Sequence, residues 1–419
     1  MLKIAMERAI HSRLVTVRTF CLLLIANASI CVTPLRLDAQ SPPSSPETLM
    51  LHGRFDVRGQ YGTIPGQTTL LERDFEWWRR GDVGFWQYHL ELGGESRLRE
   101  NVTVRLTLTA RSRDSDRDYV AWGNEVGLSA RVKEASISLN RLFSSRVALS
   151  GGRQQVAYPM FTLYDYVGGR LTVRATSWLS LDWGQWQVFE GRNIELSGQS
   201  SDDIDLWGPQ AKFVTPTVSG KVYALIHSKA GGSDGVSNNV RLLGLSATTR
   251  YWQGFSIYGA GVYQHGNSSA PLIGQRTVRA WAFRGNLILK ASEKLIMGLE
   301  YWQGSGDDPG TGGKLENFQQ FGYRNSLAKS SQFYRPGLSN LRLVRFRLKG
   351  TKRSLTGSAH IARVGESRPG KWFSTEVGIA VSYAYSKDVS LRWRYGSTFN
   401  GDRMQVFEMS SGFIGNDRR

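Results

Sequence analysis

Along most of this chain apolar and polar residues alternate, in runs of about ten, with a period of two. Val102, Val104, Leu106, Leu108 and Ala110 alternate with Thr103, Arg105, Thr107 and Thr109. Val344, Phe346 and Leu348 alternate with Arg345, Arg347 and Lys349, and Val377, Ile379, Val381, Tyr383 and Tyr385 with Glu376, Gly378, Ala380, Ser382 and Ala384. Successive side chains of a strand point to opposite faces, so each run has one greasy face and one wet face. The runs predict strands near 52–62, 85–98, 101–112, 129–140, 146–154, 169–176, 178–190, 206–215, 218–228, 240–251, 254–265, 277–290, 294–303, 340–350, 353–364, 373–386, 388–399 and 403–414. They are eighteen, an even number.

The connections carry a second pattern. Short ones, such as Arg99-Glu100, Thr176-Ser177, Pro216-Thr217 and Thr351-Lys352, alternate with longer ones near 63–84, 113–128, 155–168, 191–205, 229–239, 266–276, 304–339 and 365–372. In bacterial barrels short turns are periplasmic and long loops extracellular. The acidic clusters Asp114/Asp116/Asp118, Asp202/Asp203/Asp205 and Asp307/Asp308 then all fall on the outer side. A tilted ten-residue strand rising about 3.3 Å per residue covers the apolar band of about 25 Å of an outer membrane. A β-sandwich should not need so many strands, and the short internal repeat of a β-helix is missing. The expected fold is all-β, an 18-stranded antiparallel transmembrane β-barrel of the bacterial outer membrane.

The amino terminus sets the compartment. Lys3, Arg8, Arg13 and Arg18 precede the apolar run Phe20 to Ile25, a pattern that predicts a secretory signal peptide. Ala39 is the favoured cleavage point and Ala28 an alternative. No later segment approaches the roughly 18 continuous apolar residues of a spanning helix. The expected organisation is a signal peptide over 1–39, a lead-in over 40–51, the barrel over 52–414 and an extension over 415–419. With cleavage after Ala39 both cysteines, Cys21 and Cys31, leave with the leader, so neither a disulfide scaffold nor thiol chemistry is expected of the mature chain.

The chain carries 53 Lys+Arg against 35 Asp+Glu. Removing Lys3, Arg8, Arg13, Arg18 and Arg36 with Glu7 and Asp38 leaves 48 basic against 33 acidic residues, a net of +15. Such an excess predicts an anionic partner, and with no basic tail or basic helix nucleic acid is not expected. Energy assigns the faces: Arg or Lys on the lipid face costs about 2–4 kcal/mol at the midplane. Arg345, Arg347 and Lys349 should therefore face the lumen, and the same parity sends Arg105, Arg111, Arg170, Arg174, Arg392 and Arg394 inward. Arg153 joins them only if Gly151-Gly152 forms a bulge, because it otherwise shares parity with Val147 and Leu149. Glu91, Glu95 and Glu376 can brace single arginines, but the basic excess favours an anion-selective lumen. Trp86, Tyr88, Trp183, Tyr301, Trp393 and Tyr395 suit interfacial girdles against outer-membrane lipid.

No catalytic residues, metal ligands or cofactors are expected. Gly231-Gly232-Ser233-Asp234-Gly235 formally matches a nucleophile elbow but lacks the strand–turn–helix context, and the histidines are scattered without an HExxH pair.

Two stretches resemble the alginate-export porins of the outer membrane. One is Leu149-Ser150-Gly151-Gly152-Arg153-Gln154 with the strand Gly169-Arg170-Leu171-Thr172-Val173. The other is Leu299 to Pro309, with Gly304-Ser305-Gly306-Asp307-Asp308, then Gly337-Leu338-Ser339-Asn340-Leu341 and Thr375-Glu376-Val377. The resemblance implies an eighteen-stranded channel exporting an acidic polysaccharide of the alginate type with periplasmic export partners, its lumen residues being Arg105, Arg153, Arg170, Arg174, Arg345, Arg347, Lys349, Arg392 and Arg394. The alternative reading is an anion-selective uptake porin for small solutes or oligosaccharides.

Overall fold

The alternating runs become strands of one closed wall. The computed structural model describes residues 48–64, 81–99, 101–115, 129–142, 146–188, 204–229, 237–251, 253–270, 274–306, 314–316, 340–367, 370, 372–399 and 403–417. The expected leader, the pattern at 231–235 and Asp116, Asp118, Asp202, Asp203, Asp307 and Asp308 lie outside these residues.

The strands are β1 (Thr48–Ile64), β2 (Gly81–Arg99), β3 (Val102–Ser115), β4 (Ser129–Asn140), β5 (Val147–Ala157), β6 (Thr162–Arg174), β7 (Leu179–Val188), β8 (Ile204–Val214), β9 (Val218–Lys229) and β10 (Ser237–Thr249). They continue with β11 (Phe255–Ala270), β12 (Gly274–Ser292), β13 (Leu295–Gly304), β14 (Lys314–Leu315), β15 (Leu341–Lys352), β16 (Leu355–Glu366), β17 (Trp372–Ala384), β18 (Val389–Thr398) and β19 (Arg403–Asp417). Eighteen long strands form an antiparallel meander; the two-residue β14 lies parallel to β12, and β13 pairs directly with β15. The wall closes because β19 pairs with β1, from Leu49↔Asp417 to Thr63↔Arg403. Closure removes the exposed edges that an open sheet would present.

Apolar residues cover the outside. Leu106, Leu108, Leu243, Leu245, Ile257, Leu299, Phe346 and Ile379 are all exposed, which water would not tolerate as a continuous band and lipid demands. Aromatic residues join this outer surface as expected. Trp183 lies tilted against Trp207 and Phe283 against Tyr301, while Trp393 stacks with Tyr395, with ring centroids 5.9, 6.3 and 6.3 Å apart.

The inner face departs from the expected pattern. At the extracellular ends of β8 to β16 the inward row is apolar and fully buried: Leu206, Leu225, Val240, Leu242, Val278, Leu343 and Val364. Charged residues sit on the opposite, outward row of the same strand ends. The two-residue period does not say which set faces lipid, and near the interface the penalty for an outward arginine falls to about 0–1 kcal/mol.

One connection also differs. The long loop expected over 155–168 contracts to residues 158–161, because β5 runs on to Ala157 and β6 begins at Thr162. β4 pairs with β5 only as far as Ala135↔Arg153, and β6 pairs with β7 only from Tyr166↔Val188. Beyond those points the β5–β6 hairpin leaves the wall. Gly152 enables the departure: its φ is +113° and a Cβ there would lie 2.3 Å from the Ala135 carbonyl oxygen.

Candidate functional site: an arginine wall facing an inward hairpin

The hairpin that leaves the wall folds into the lumen. Its turn is closed by the Tyr158 amide, which donates to the Phe161 carbonyl at 2.9 Å. Tyr158, Met160 and Phe161 are buried. Their anchor is Tyr223 of β9, whose ring lies 5.3 Å from that of Tyr158 and 6.0 Å, edge-on, from that of Phe161. The Tyr258 hydroxyl of β11 donates to the Pro159 carbonyl at 3.3 Å, and Lys221 Nζ lies 3.5 Å from the Ala157 carbonyl. A turn between β5 and β6 thus reaches β9 and β11, three and five strands beyond β6.

Beside that anchor is a chain of cationic contacts. Arg284 of β12 places its guanidinium 5.1 Å from the centre of the Tyr258 ring and 4.0 Å over that of Trp302. The Trp302 indole N–H donates to Glu300 at 3.4 Å. Glu300 also accepts a hydrogen bond from Arg345, both groups being buried, and lies 3.9 Å from Arg347. Strand register dictates this meeting, since Trp302 pairs with Arg284, and Glu300 with Arg345. Two guanidiniums therefore share one carboxylate, and a third, that of Arg284, stands over the indole that donates to it. Glu300 is matched by Arg345, which leaves Arg284 and the 40% exposed Arg347 side chain as excess positive charge.

The opposite side of the barrel is balanced. Arg54 pairs with Asp56 at 2.8 Å, Lys133 with Glu91 at 2.7 Å and Arg105 with Glu95 at 2.8 Å. Arg105, expected to line the lumen, is the partner of Glu95 in the last of these pairs. On β15 the inward row holds Arg345, Arg347 and Lys349, in register with Glu300, Gly298 and Ile296. Arg170 and Arg174 lie on the inner row of β6, with Arg170 half-buried and Arg174 exposed. Arg392 and Arg394 lie on β18, across from Ser382 and Ala380. The side chain of Arg111 lies outside the described residues.

Arg153 is placed otherwise. The β5–β6 ladder is continuous from Val147 to Gln154, so the bulge that would turn Arg153 inward does not form. Its register partners are Ala135 and Val167, on the row of the exposed Leu149 and Leu171.

Sequence reasoning missed Arg284, Glu300, Tyr258, Lys221 and the hairpin tip. The signal for Arg284 was present in its parity with the polar Asn286. The hairpin was hidden because residues 155–168 read as one loop. Among the described residues no group of three His, Cys, Asp or Glu side chains is placed to hold a metal ion.

No protein-family model matches the chain, and none of the curated proteins matches it. Solved structures do. The chain is similar to OccK8 (OprE) of Pseudomonas aeruginosa, at 13% identity over 88% of this chain and 98% of that one, with a TM-score of 0.59. It is also similar to OccAB1 of Acinetobacter baumannii, at 13% identity over 91% and 99%, TM-score 0.57, and to OpdQ of P. aeruginosa, at 13% over 89% and 99%, TM-score 0.55. These likenesses show the fold: an eighteen-stranded outer-membrane barrel.

They also correct the alginate-export resemblance, for the matching structures carry Occ and Opd names. The residues behind that resemblance have structural work. Gly152-Arg153-Gln154 marks where the hairpin leaves the wall. In the second stretch Ser305 donates its amide to the Trp281 carbonyl, Asn340 donates to the Ser305 carbonyl, and Gly306 packs where a Cβ would meet the Asn340 side chain at 2.0 Å. They fasten the foot of the long connection to the wall.

Proposed function

We propose that this protein is an outer-membrane channel, not an enzyme, that takes up small anionic solutes past the arm formed by Arg284 and Arg347. The observation that carries this reading is a local excess of positive charge: Arg345 and Arg347 share the one carboxylate of Glu300, and Arg284 stands over Trp302 beside them, next to a hairpin that narrows the lumen. Two charges 4 Å apart interact by about 4 kcal/mol at an effective dielectric of 20. An anion at the arm gains enough to be preferred, and solvent access at Arg347 lets it leave. Conduction needs that kind of favourable but escapable binding. The Occ and Opd likeness supports uptake through a barrel of this type.

The test is a reversal potential in planar bilayers under a salt gradient. Anion preference is expected for the native channel, and Arg284→Gln with Arg347→Gln should remove most of it. A cation-selective or unselective native channel would overturn the proposal.

A further inference from the structure

The outer wall carries a cationic patch that no function of the lumen explains. Arg241 of β10, His265 of β11 and Arg279 of β12 are exposed and occupy one row, since Arg241 pairs with His265 and His265 with Arg279. The two arginines are two strand spacings apart, about 10 Å. Further round the wall Arg342 of β15 and Arg363 of β16 flank Trp372 of β17, their guanidiniums 3.9 and 4.9 Å from the centre of its ring.

Height on the wall identifies the setting. The row immediately below Arg241, His265 and Arg279 is Leu243, Tyr263 and Trp281, again in register and 57, 43 and 41% exposed. An aromatic and aliphatic band capped by cations is the profile of a membrane interface. These positions lie toward the strand ends that carry the long connections, hence the outer leaflet.

Charge identifies the occupant. Side chains directly opposite across strands approach to about 5 Å, and facing like charges destabilise a sheet unless something neutralises them. The carboxylates on the described residues of β9 to β17 are Glu300, Glu366 and Glu376, and all three are buried on the inner row. Among the described residues none of Arg241, His265, Arg279, Arg342 or Arg363 is shown in an ion pair. Asp205, on β8, is separated from the row by β9. Glu316, which follows β14, belongs to the long connection.

We infer that these two clusters bind the phosphate groups of the outer leaflet's glycolipid, lipopolysaccharide, with the acyl chains lying on the apolar band below. Arginine suits this ligand because its planar fork engages phosphate oxygens in pairs, and the indole of Trp372 holds two such forks in place by cation–π contact.

The experiment is native mass spectrometry of the full-length barrel in detergent, titrated separately with bisphosphorylated lipid A, its dephosphorylated form and phosphatidylglycerol. Retention of bisphosphorylated lipid A is expected, weakened about tenfold by Arg241→Gln with Arg279→Gln, and again by Arg342→Gln with Arg363→Gln, as loss of charge-assisted phosphate contacts predicts. Heat-modifiable gel mobility shows that each variant is folded, and because the residues face outward, channel conductance should not change. Equal retention of phosphatidylglycerol or of dephosphorylated lipid A, or retention indifferent to the four substitutions in folded barrels, would overturn the inference.

Discussion

The Tyr258 hydroxyl donates to the carbonyl oxygen of Pro159, 3.3 Å away, and so ties the tip of the β5–β6 hairpin to β11 on another part of the wall. The same ring lies beneath Arg284. One tyrosine therefore sets both the position of the constriction and the seat of a cation that faces it.

Replacing Tyr258 with Phe keeps the ring and removes the donor. The net loss should be about 0.5–1.5 kcal/mol, too little to unfold the barrel but enough to free the tip. Single-channel records should show larger or noisier conductance with unchanged gel mobility. Records identical to the native channel would mean that the aromatic contacts with Tyr223 hold the turn alone.

Glu300→Gln tests the buried pair. With the carboxylate gone, Arg345 stays buried without its counter-charge, a situation that costs about 3–5 kcal/mol. The midpoint of urea unfolding in detergent should fall accordingly, while anion preference rises in whatever fraction folds. Arg347→Gln, on the solvent-facing side of the same carboxylate, should weaken selectivity and leave the midpoint nearly unchanged. Equal destabilisation by the two substitutions would show that the division between bracing and selecting residues is wrong.

Gly152→Val should disturb the channel through the backbone. A φ of +113° excludes a β-branched residue, and the added Cβ would overlap the Ala135 carbonyl. The hairpin should then leave the wall at another point, altering conductance and lowering the unfolding midpoint. Native conductance in this variant would show that the turn inward does not depend on this glycine.

Sidedness follows from the connections. Cysteine introduced at Gly310 should react with an impermeant thiol reagent on intact cells. One introduced at Ser386, in the short turn between β17 and β18, should not. The native cysteines, Cys21 and Cys31, fall within the expected leader. The opposite labelling would invert the topology.

The fold was legible because the lipid-facing band imposes the same rule on every strand: Leu106, Phe346 and Ile379 had to face outward whatever the barrel carries. Arg345, Arg347 and Lys349 were legible for the complementary reason, since three outward cations at that depth would be too costly. The rule weakens toward the membrane interface. Val240 and Arg241, Val278 and Arg279, and Leu341 and Arg342 alternate as cleanly as any lower pair, yet there the apolar member faces in. What remained hidden was long-range. Neither Tyr258 near Pro159 nor Arg284 over Trp302 has a local signature, because strand register and a hairpin departing from the sheet bring them together.

The seam between β1 and β19 also governs how the barrel comes into being. It joins the first strand of the wall to the last, so its partners are as far apart along the chain as any in the molecule. Contacts of such separation form slowly, and until this one forms, both strands present unpaired backbone to any other chain within reach. The protein is then most vulnerable to aggregation just before its last strand docks, and whatever shields Thr48–Ile64 during that wait determines the yield of finished channels.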